Sequence, residues 1–316
     1  MSTDQAESVL INSRAKENYS IKLDRLSICY NESNQEYVQK TCGLLLDHHM
    51  PESIPGMTVT KNPRYHVSCV IPVPFKEGFP KAMVCFEAGP RRPGQASYRL
   101  DYNPSKVSEA GFDDLSVFLE SVIDPDPVGF FHAGKVTRCD IALDLLGHHH
   151  EDFIVRSSRL QKHGVYSDRY GFIETAYLGT PKSRRIVAYE KPVPGSLEPH
   201  LRLECRLKPG FFGHQVAGLE NPFSGVRLIP AGFSQTAGIG IPAQFIADSM
   251  RIGGLKRALA VLDPAQRKAL KKTFKAAESV LPNLDALWAS WPEILIGMGL
   301  GKHLGAVPVV PFAKAA

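Results

Sequence analysis

The sequence predicts an α+β fold: an antiparallel sheet with helices on one face, followed by a small helical C-terminal region. Three observations predict it. Runs of alternating apolar and polar residues recur, the period of a strand with one buried face. Amphipathic segments of helical period interrupt them. From about Gly210 the texture turns to glycine and proline and then to helix formers. The expected organisation is a polar, disordered N-terminus (1–18), an α+β domain (19–212), a linker or loop (213–240) and a helical region (241–316).

The elements follow in order. "YSIKLDRLSICY" is strand-like, and "NQEYVQKTCGLLLDHHM" is an amphipathic helix. "RYHVSCVIPVPF", "KAMVCFEAG" and "SYRLDY" read as strands, and "DDLSVFLESVI" as a second helix. "GKVTRCDIALDLL" is a strand by alternation and β-branched content. "EDFIVRSSRLQKHG" reads as a helix with Glu151 and Asp152 in its first turn, where the dipole favours acids. "IETAYLGT", "SRRIVAYEK" and "HLRLECRLK" are strands. Each half thus reads strand, helix, several strands, the order of duplicated β-α-β-β units, though no residue-level repeat supports a duplication. Beyond the linker, three helical segments run from "AQFIADSM" to "LDALWASW", with Asp263 and Pro264 as N-cap and first helical residue.

Composition narrows the class. The chain has 316 residues, 43% hydrophobic and 22% charged, enough for a sizeable core. A formal net charge of +5 is compatible with a polyanionic partner. Six cysteines without a C-x-x-C pair argue against a zinc ribbon. A polar N-terminus and no apolar run of membrane-spanning length argue for a reducing, cytoplasmic setting without a membrane.

Strand alternation assigns the chemistry to faces. Arg138, Asp140, Ala142 and Asp144 share one; Arg202, Glu204, Arg206 and Lys208 another; Arg185, Val187, Tyr189 and Lys191 a third. A sheet face carrying acids, arginines and tyrosines suits a divalent metal and a phosphodiester: carboxylates take Mg²⁺ or Mn²⁺, and arginines take phosphate oxygens. Asp140 and Asp144 are about 13 Å apart at roughly 3.3 Å per residue, so at most one ligates a given ion. His148, His149 and His150 read first as an exposed turn, although one imidazole could complete a metal site. Arg267, Lys268, Lys271, Lys272 and Lys275 make one side of a C-terminal helix basic, which suits either phosphates or plain solvation.

Taken together, "TRCDIALDLL", "ETAYLGTPKSRRIVAYEKP" and "LRLECRLK" resemble the ordered motifs of the replication initiation factor (Rep_trans) family, the rolling-circle initiators of plasmids and filamentous-type phages. The resemblance covers about residues 135–208, and "LDRLSICY" is similar to the family's opening strand; the tail beyond 212 is not covered. It implies an enzyme of the bacterial cytoplasm that binds origin DNA, single-stranded or hairpin, and nicks it by tyrosine transesterification. A 5′-phosphotyrosine link and a free 3′-OH result. By position Tyr189 is the implied nucleophile and Tyr177 the rival, with Lys191 and Arg185 to stabilise phenolate. A divalent metal, Mg or Mn, would sit on Asp140 and Glu204, with Asp144 and Glu190 as further ligand candidates. Arg138, Arg184, Arg202 and Lys182, with Arg267, Lys268, Lys271 and Lys272 of the tail, are expected to contact DNA. Host replication proteins and a second copy of the chain are the other expected partners. The chain lacks the histidine-hydrophobic-histidine pair of the larger nickase class, so the metal ligand set stays open. Two alternatives stand beside this reading: a non-enzymatic DNA-binding regulator of phage or plasmid replication, and a metal-dependent nuclease that uses water.

Overall fold

The computed structural model describes residues 19–47, 54–60, 62–76, 82–123, 126–160, 162–170, 173–182, 184–192, 198–208, 210–232, 240–277 and 283–306. The stretch expected to be disordered, 1–18, and residues 233–239 of the expected linker lie outside them. The chain begins with β1 (Tyr19–Tyr30), α1 (Gln35–Leu46), β2 (Thr58–Thr60), β3 (Tyr65–Val73), β4 (Ala82–Pro90), β5 (Tyr98–Tyr102), α2 (Glu109–Val122) and α3 (Pro127–Ala133). Next come β6 (Lys135–Leu146), β7 (Phe153–Ser157), β8 (His163–Ser167), β9 (Ile173–Gly179), β10 (Arg184–Glu190), β11 (His200–Leu207) and β12 (Val226–Pro230). The last helices are α4 (Ala243–Ala260), α5 (Pro264–Ala277), α6 (Leu284–Trp288), α7 (Trp291–Gly297) and α8 (Gly301–Leu304).

The fold is α+β, as the sequence predicts. Ten strands form an antiparallel sheet in the order β2-β3-β4-β5-β1-β6-β11-β10-β9-β8, and β12 pairs with β7 in a second sheet. The chain divides into two compact units. One comprises Lys22–Ile141, Leu207–Glu220 and the segment from Ala289; the other comprises mainly Ala142–Arg206 and Asn221–Trp288. Among the described residues, no helix is long and apolar enough to cross a membrane.

In the first unit, strand register sorts the side chains by face. Ile28 and Phe86 both pair with Leu100, and Cys69 pairs with Phe86; all four are fully buried. Helices α1 and α2 contact β3, and Phe118 of α2 meets Phe86 edge-on at 5.6 Å. Both helices start on side-chain caps: Asn34 accepts from Glu36 N, and Ser108 accepts from Gly111 N. The opposite face is polar yet largely buried. Arg99 donates to Glu87 (2.6 Å) and to Asp101, while Arg25 (2.9 Å) and Ser27 (2.6 Å) also donate to Asp101. Asn62 occupies the remaining oxygen of Glu87 at 2.7 Å.

In the second unit, Ile186 pairs with Leu178 and Ala188 with Ala176 on the apolar face. Val187 opposite Tyr177, and Tyr189 opposite Thr175, lie on the other. Two expectations are corrected here. Residues 151–164 are not a helix. Glu151 and Asp152 belong to a short 3-10 turn, after which Phe153–Ser157 runs as a strand. Within 213–240, Val226–Pro230 supplies that strand's partner. An apolar pair such as Ile154-Val155 suits both a helix and a doubly covered strand, and the cross-chain partner decides. Helices α4 and α5 cover this sheet through a core of Ile154, Ile229, Ile246, Met250, Leu259, Leu262, Leu270 and Phe274. Helix α5 starts on the expected cap. Asp263 Oδ1 accepts from Gln266 N (2.8 Å), and Gln266 Oε1 accepts from Asp263 N (3.1 Å).

Candidate functional site

Tyr189 lies near the end of β10, half-buried, on the face opposite the apolar Ile186 and Ala188. Just beyond the strand, Lys191 N donates to His200 O at 2.8 Å, which sets Lys191 opposite His200 and hence Tyr189 opposite Arg202 of β11. The Tyr189 hydroxyl donates to Glu204 Oε2 at 3.0 Å, and Arg206 Nε donates to Glu204 Oε1 at 2.6 Å. Arg202 holds Asp144 of β6 in a bidentate pair, Nε to Oδ1 at 2.5 Å and Nη2 to Oδ2 at 2.8 Å. One connected cluster results: Asp144, Arg202, Tyr189, Glu204 and Arg206. Asp144, Arg202 and Glu204 are at most 4% exposed.

Burial pushes the Tyr189 phenol well above its ordinary value of 10.0. The Glu204 carboxylate pushes the same way, and Arg202 partly opposes them. The resting tyrosine therefore keeps its proton and aims it at a carboxylate. That is the arrangement of a nucleophile waiting for a base, and equally of a structural hydrogen bond.

The other expected residues are placed as follows. Asp140 belongs to the first unit, where Arg138 holds it at 2.8 Å through Nε, and it is 1% exposed. Arg185 does not face Tyr189: its guanidinium lies 3.9 Å over the Tyr177 ring. Glu190 projects to the other face and is exposed, with His149 Nδ1 3.2 Å from its carboxylate. Arg184 donates to Ser224 O at 3.2 Å, and Lys182 is exposed. Lys268, Lys271 and Lys272 are exposed on α5, whereas Arg267 donates to Leu262 O at 2.6 Å and helps close the α4–α5 turn.

Three corrections follow. Arg202, expected at DNA phosphates, is 1% exposed and held by Asp144, so it offers nothing to a strand lying on the surface. The Asp144 and Glu204 carboxylates of this face are held by arginines in a largely buried ion-pair network and are not left open. His150, expected in an exposed turn, is 4% exposed, and neither ring nitrogen has a hydrogen-bond partner among the described residues. Burial, helped by the nearby Arg251 charge, lowers its pKa to about 4. Arg206 is a site residue to which the sequence motifs assign no role; its position two residues after Glu204 on the same face was the available signal.

The carboxylates have the hard oxygen chemistry that Mg²⁺ or Mn²⁺ takes. Their geometry does not fit a ready site, because Asp140, Asp144 and Glu204 each hold an arginine. Among the described residues, no three His, Cys, Asp or Glu side chains converge as a group able to hold a metal.

No family model matches the chain, and no curated protein matches it. Among solved structures, it is similar to the di-domain ARO/CYC BexL from the BE-7585A biosynthetic pathway. That likeness has a TM-score of 0.17 and 8% identity, over 84% of this chain and 99% of that one. At that TM-score the likeness carries no argument about fold or activity.

Proposed function

We propose that the chain is a DNA strand-nicking and -joining enzyme that initiates rolling-circle replication in the cytoplasm of a bacterial host, with Tyr189 as nucleophile. The observation that carries the reading is the Tyr189–Glu204 hydrogen bond of 3.0 Å, set on a sheet face beside arginines. The step balances as follows. Tyr189 Oη attacks the phosphorus of one phosphodiester, and its proton passes to Glu204. A P–Oη bond forms as the P–O3′ bond breaks, and the 3′ oxygen leaves and takes up a proton as a free 3′-OH. Reversal rejoins the strand, because the phosphotyrosine link conserves the ester. Glu204 is thus the base, and Arg206 holds it in place. Opening the Arg206–Glu204 pair would expose that carboxylate. A divalent metal, Mg or Mn, would supply Lewis-acid chemistry to a phosphate if it bound, but no step here is routed through it. Asp144 or Glu204 could reach it only after releasing an arginine.

A second reading, a DNA-binding regulator without nuclease activity, is favoured by that same arginine occupancy. One experiment separates them. A 5′-labelled and a 3′-labelled single-stranded origin fragment are each incubated with the protein and Mn²⁺, then run on a denaturing gel. The enzymatic reading expects a labelled protein band from the 3′-labelled strand only, lost in Tyr189→Phe. Binding without any band supports the regulator, and cleavage without a band points to water as nucleophile.

A further inference from the structure

We propose that the Tyr189-bearing face of β8–β9–β10 is a stacking platform for single-stranded nucleic acid. The inference rests on the nucleic-acid reading above and adds how the strand is held. The registers show it. Tyr166 pairs with Thr175, and Thr175 pairs with Tyr189, so these three side chains form one cross-strand row. In the next row Gly164 pairs with Tyr177, and Tyr177 pairs with Val187. Strand β8 is an edge strand of the sheet, so the row from Tyr189 runs outward to Tyr166 at the rim.

The aromatic side chains grow more exposed toward that rim. Tyr189 and Tyr177 are half-buried, Tyr166 is 64% exposed, and Tyr170 in the turn after β8 is 69% exposed. Two of these rings also come with a guanidinium: Arg169 lies 4.6 Å over Tyr170, and Arg185 lies 3.9 Å over Tyr177. Gly164 opposite Tyr177 places no side chain beside that ring on the edge strand.

The charge on this face points to the occupant. Strand alternation puts Glu190 on the opposite side from Tyr189, whereas Glu174 lies at the register shift between β8 and β9. Asp168 is engaged by the Tyr170 amide at 2.9 Å. Aromatic rings interleaved with arginines suit unpaired bases and their phosphates. A duplex, whose bases are stacked inside, could use only the arginines.

The test is equilibrium binding of a fluorescently labelled oligothymidylate of roughly twelve nucleotides, within the usual span of a single-strand site. The full chain carries Tyr189→Phe, and EDTA is present, so nicking plays no part. Tyr166→Leu and Tyr170→Leu are each expected to raise Kd by about fivefold or more, while Tyr166→Phe stays within about twofold. A duplex of equal length is expected to bind more weakly and to ignore the leucine variants. Both positions are exposed, so unchanged thermal unfolding is the fold check. The platform is overturned if the oligonucleotide does not bind, if the leucine variants bind like the parent, if phenylalanine loses as much as leucine, or if the duplex shows the same leucine sensitivity. Platform-dependent binding by a wild-type chain that forms no covalent adduct would refute the nicking mechanism and leave the platform standing.

Discussion

Asp144 and Arg202 set the problem at the residue scale, because the pair is both buried and charged. Two ions taken out of water lose hydration that their mutual attraction only partly returns. Removing one partner is then far worse than removing both. Asp144→Asn should therefore cost about 3–5 kcal/mol in urea unfolding, since the Arg202 charge stays buried without its counterion. The double replacement Asp144→Leu with Arg202→Leu should recover most of that loss. Recovery absent from the double variant would mean that the pair does more than balance charge. Tyr189→Phe makes the contrasting case. It deletes one hydrogen bond to a carboxylate and should cost about 1–3 kcal/mol, while removing the covalent adduct altogether. The same contrast shows what the sequence could reveal. Strand geometry alone separates Asp140 from Asp144, and the two are indeed engaged by different arginines. Which arginine each acid holds depends on pairing between distant strands, and no local pattern carries that.

Elements differ in how well the sequence announces them. Strands β1, β10 and β11 match their alternating stretches because one face is apolar throughout: Leu201, Leu203 and Cys205 of β11 are all fully buried. β7 was hidden because Ile154 and Val155 are adjacent and both buried, so period two disappears. β12 was hidden in glycine- and proline-rich sequence, and only its pairing with β7 makes it a strand. Tyr189 and Glu204 were legible as same-face residues; the arginine occupancy of the carboxylates was not. Helix α4 supplies the prediction at this scale. Gly254 interrupts it at φ 75° and ψ 167°, a conformation essentially confined to glycine. A Cβ there would meet no atom within 4 Å, so any penalty for Gly254→Ala comes from the backbone alone. The expected loss is about 1–3 kcal/mol, read from urea midpoints. Helix α5 gives a second test, on its solvent side. Lys268→Glu with Lys272→Glu should weaken binding of single-stranded DNA and flatten its salt dependence, by about 0.7 in log–log slope for each phosphate no longer neutralised. An unchanged slope would assign those lysines to solvation.

The two units carry acids and arginines on paired strands with different chemistry. Phe86-Glu87 and Arg99-Leu100-Asp101 in the first unit recur at the same spacing as Tyr189-Glu190 and Arg202-Leu203-Glu204 in the second. That spacing is not a structural repeat, because Phe86 pairs with Leu100 on an apolar face whereas Tyr189, at the matching position, lies opposite Arg202 on the polar one. In the first unit Glu87 lies opposite Arg99; in the second the residue opposite Arg202 is Tyr189. A carboxylate thus stands where the second unit has its phenol, and the first unit's acids are fully occupied by Arg99, Arg25, Ser27 and Asn62. The proposed chemistry accordingly draws on residues of the second unit. Among the described residues each unit also buries one histidine, His150 in the second and His303 in the first, and burial lowers both pKa values from 6.5 to about 4. The sign follows from proton counting. Between pH 6.5 and 4 the unfolded chain binds more protons at these rings than the folded one, so folding loses stability as pH falls. The contribution is complete above pH 6.5 and gone below about 4, on the order of 3 kcal/mol for each ring. Urea midpoints of the wild type should therefore drop between about pH 7 and about pH 4.5. His150→Leu and His303→Leu should each remove part of that drop, and the double variant most of it. A double variant with the wild-type acid sensitivity would place the titrating groups among the carboxylates instead.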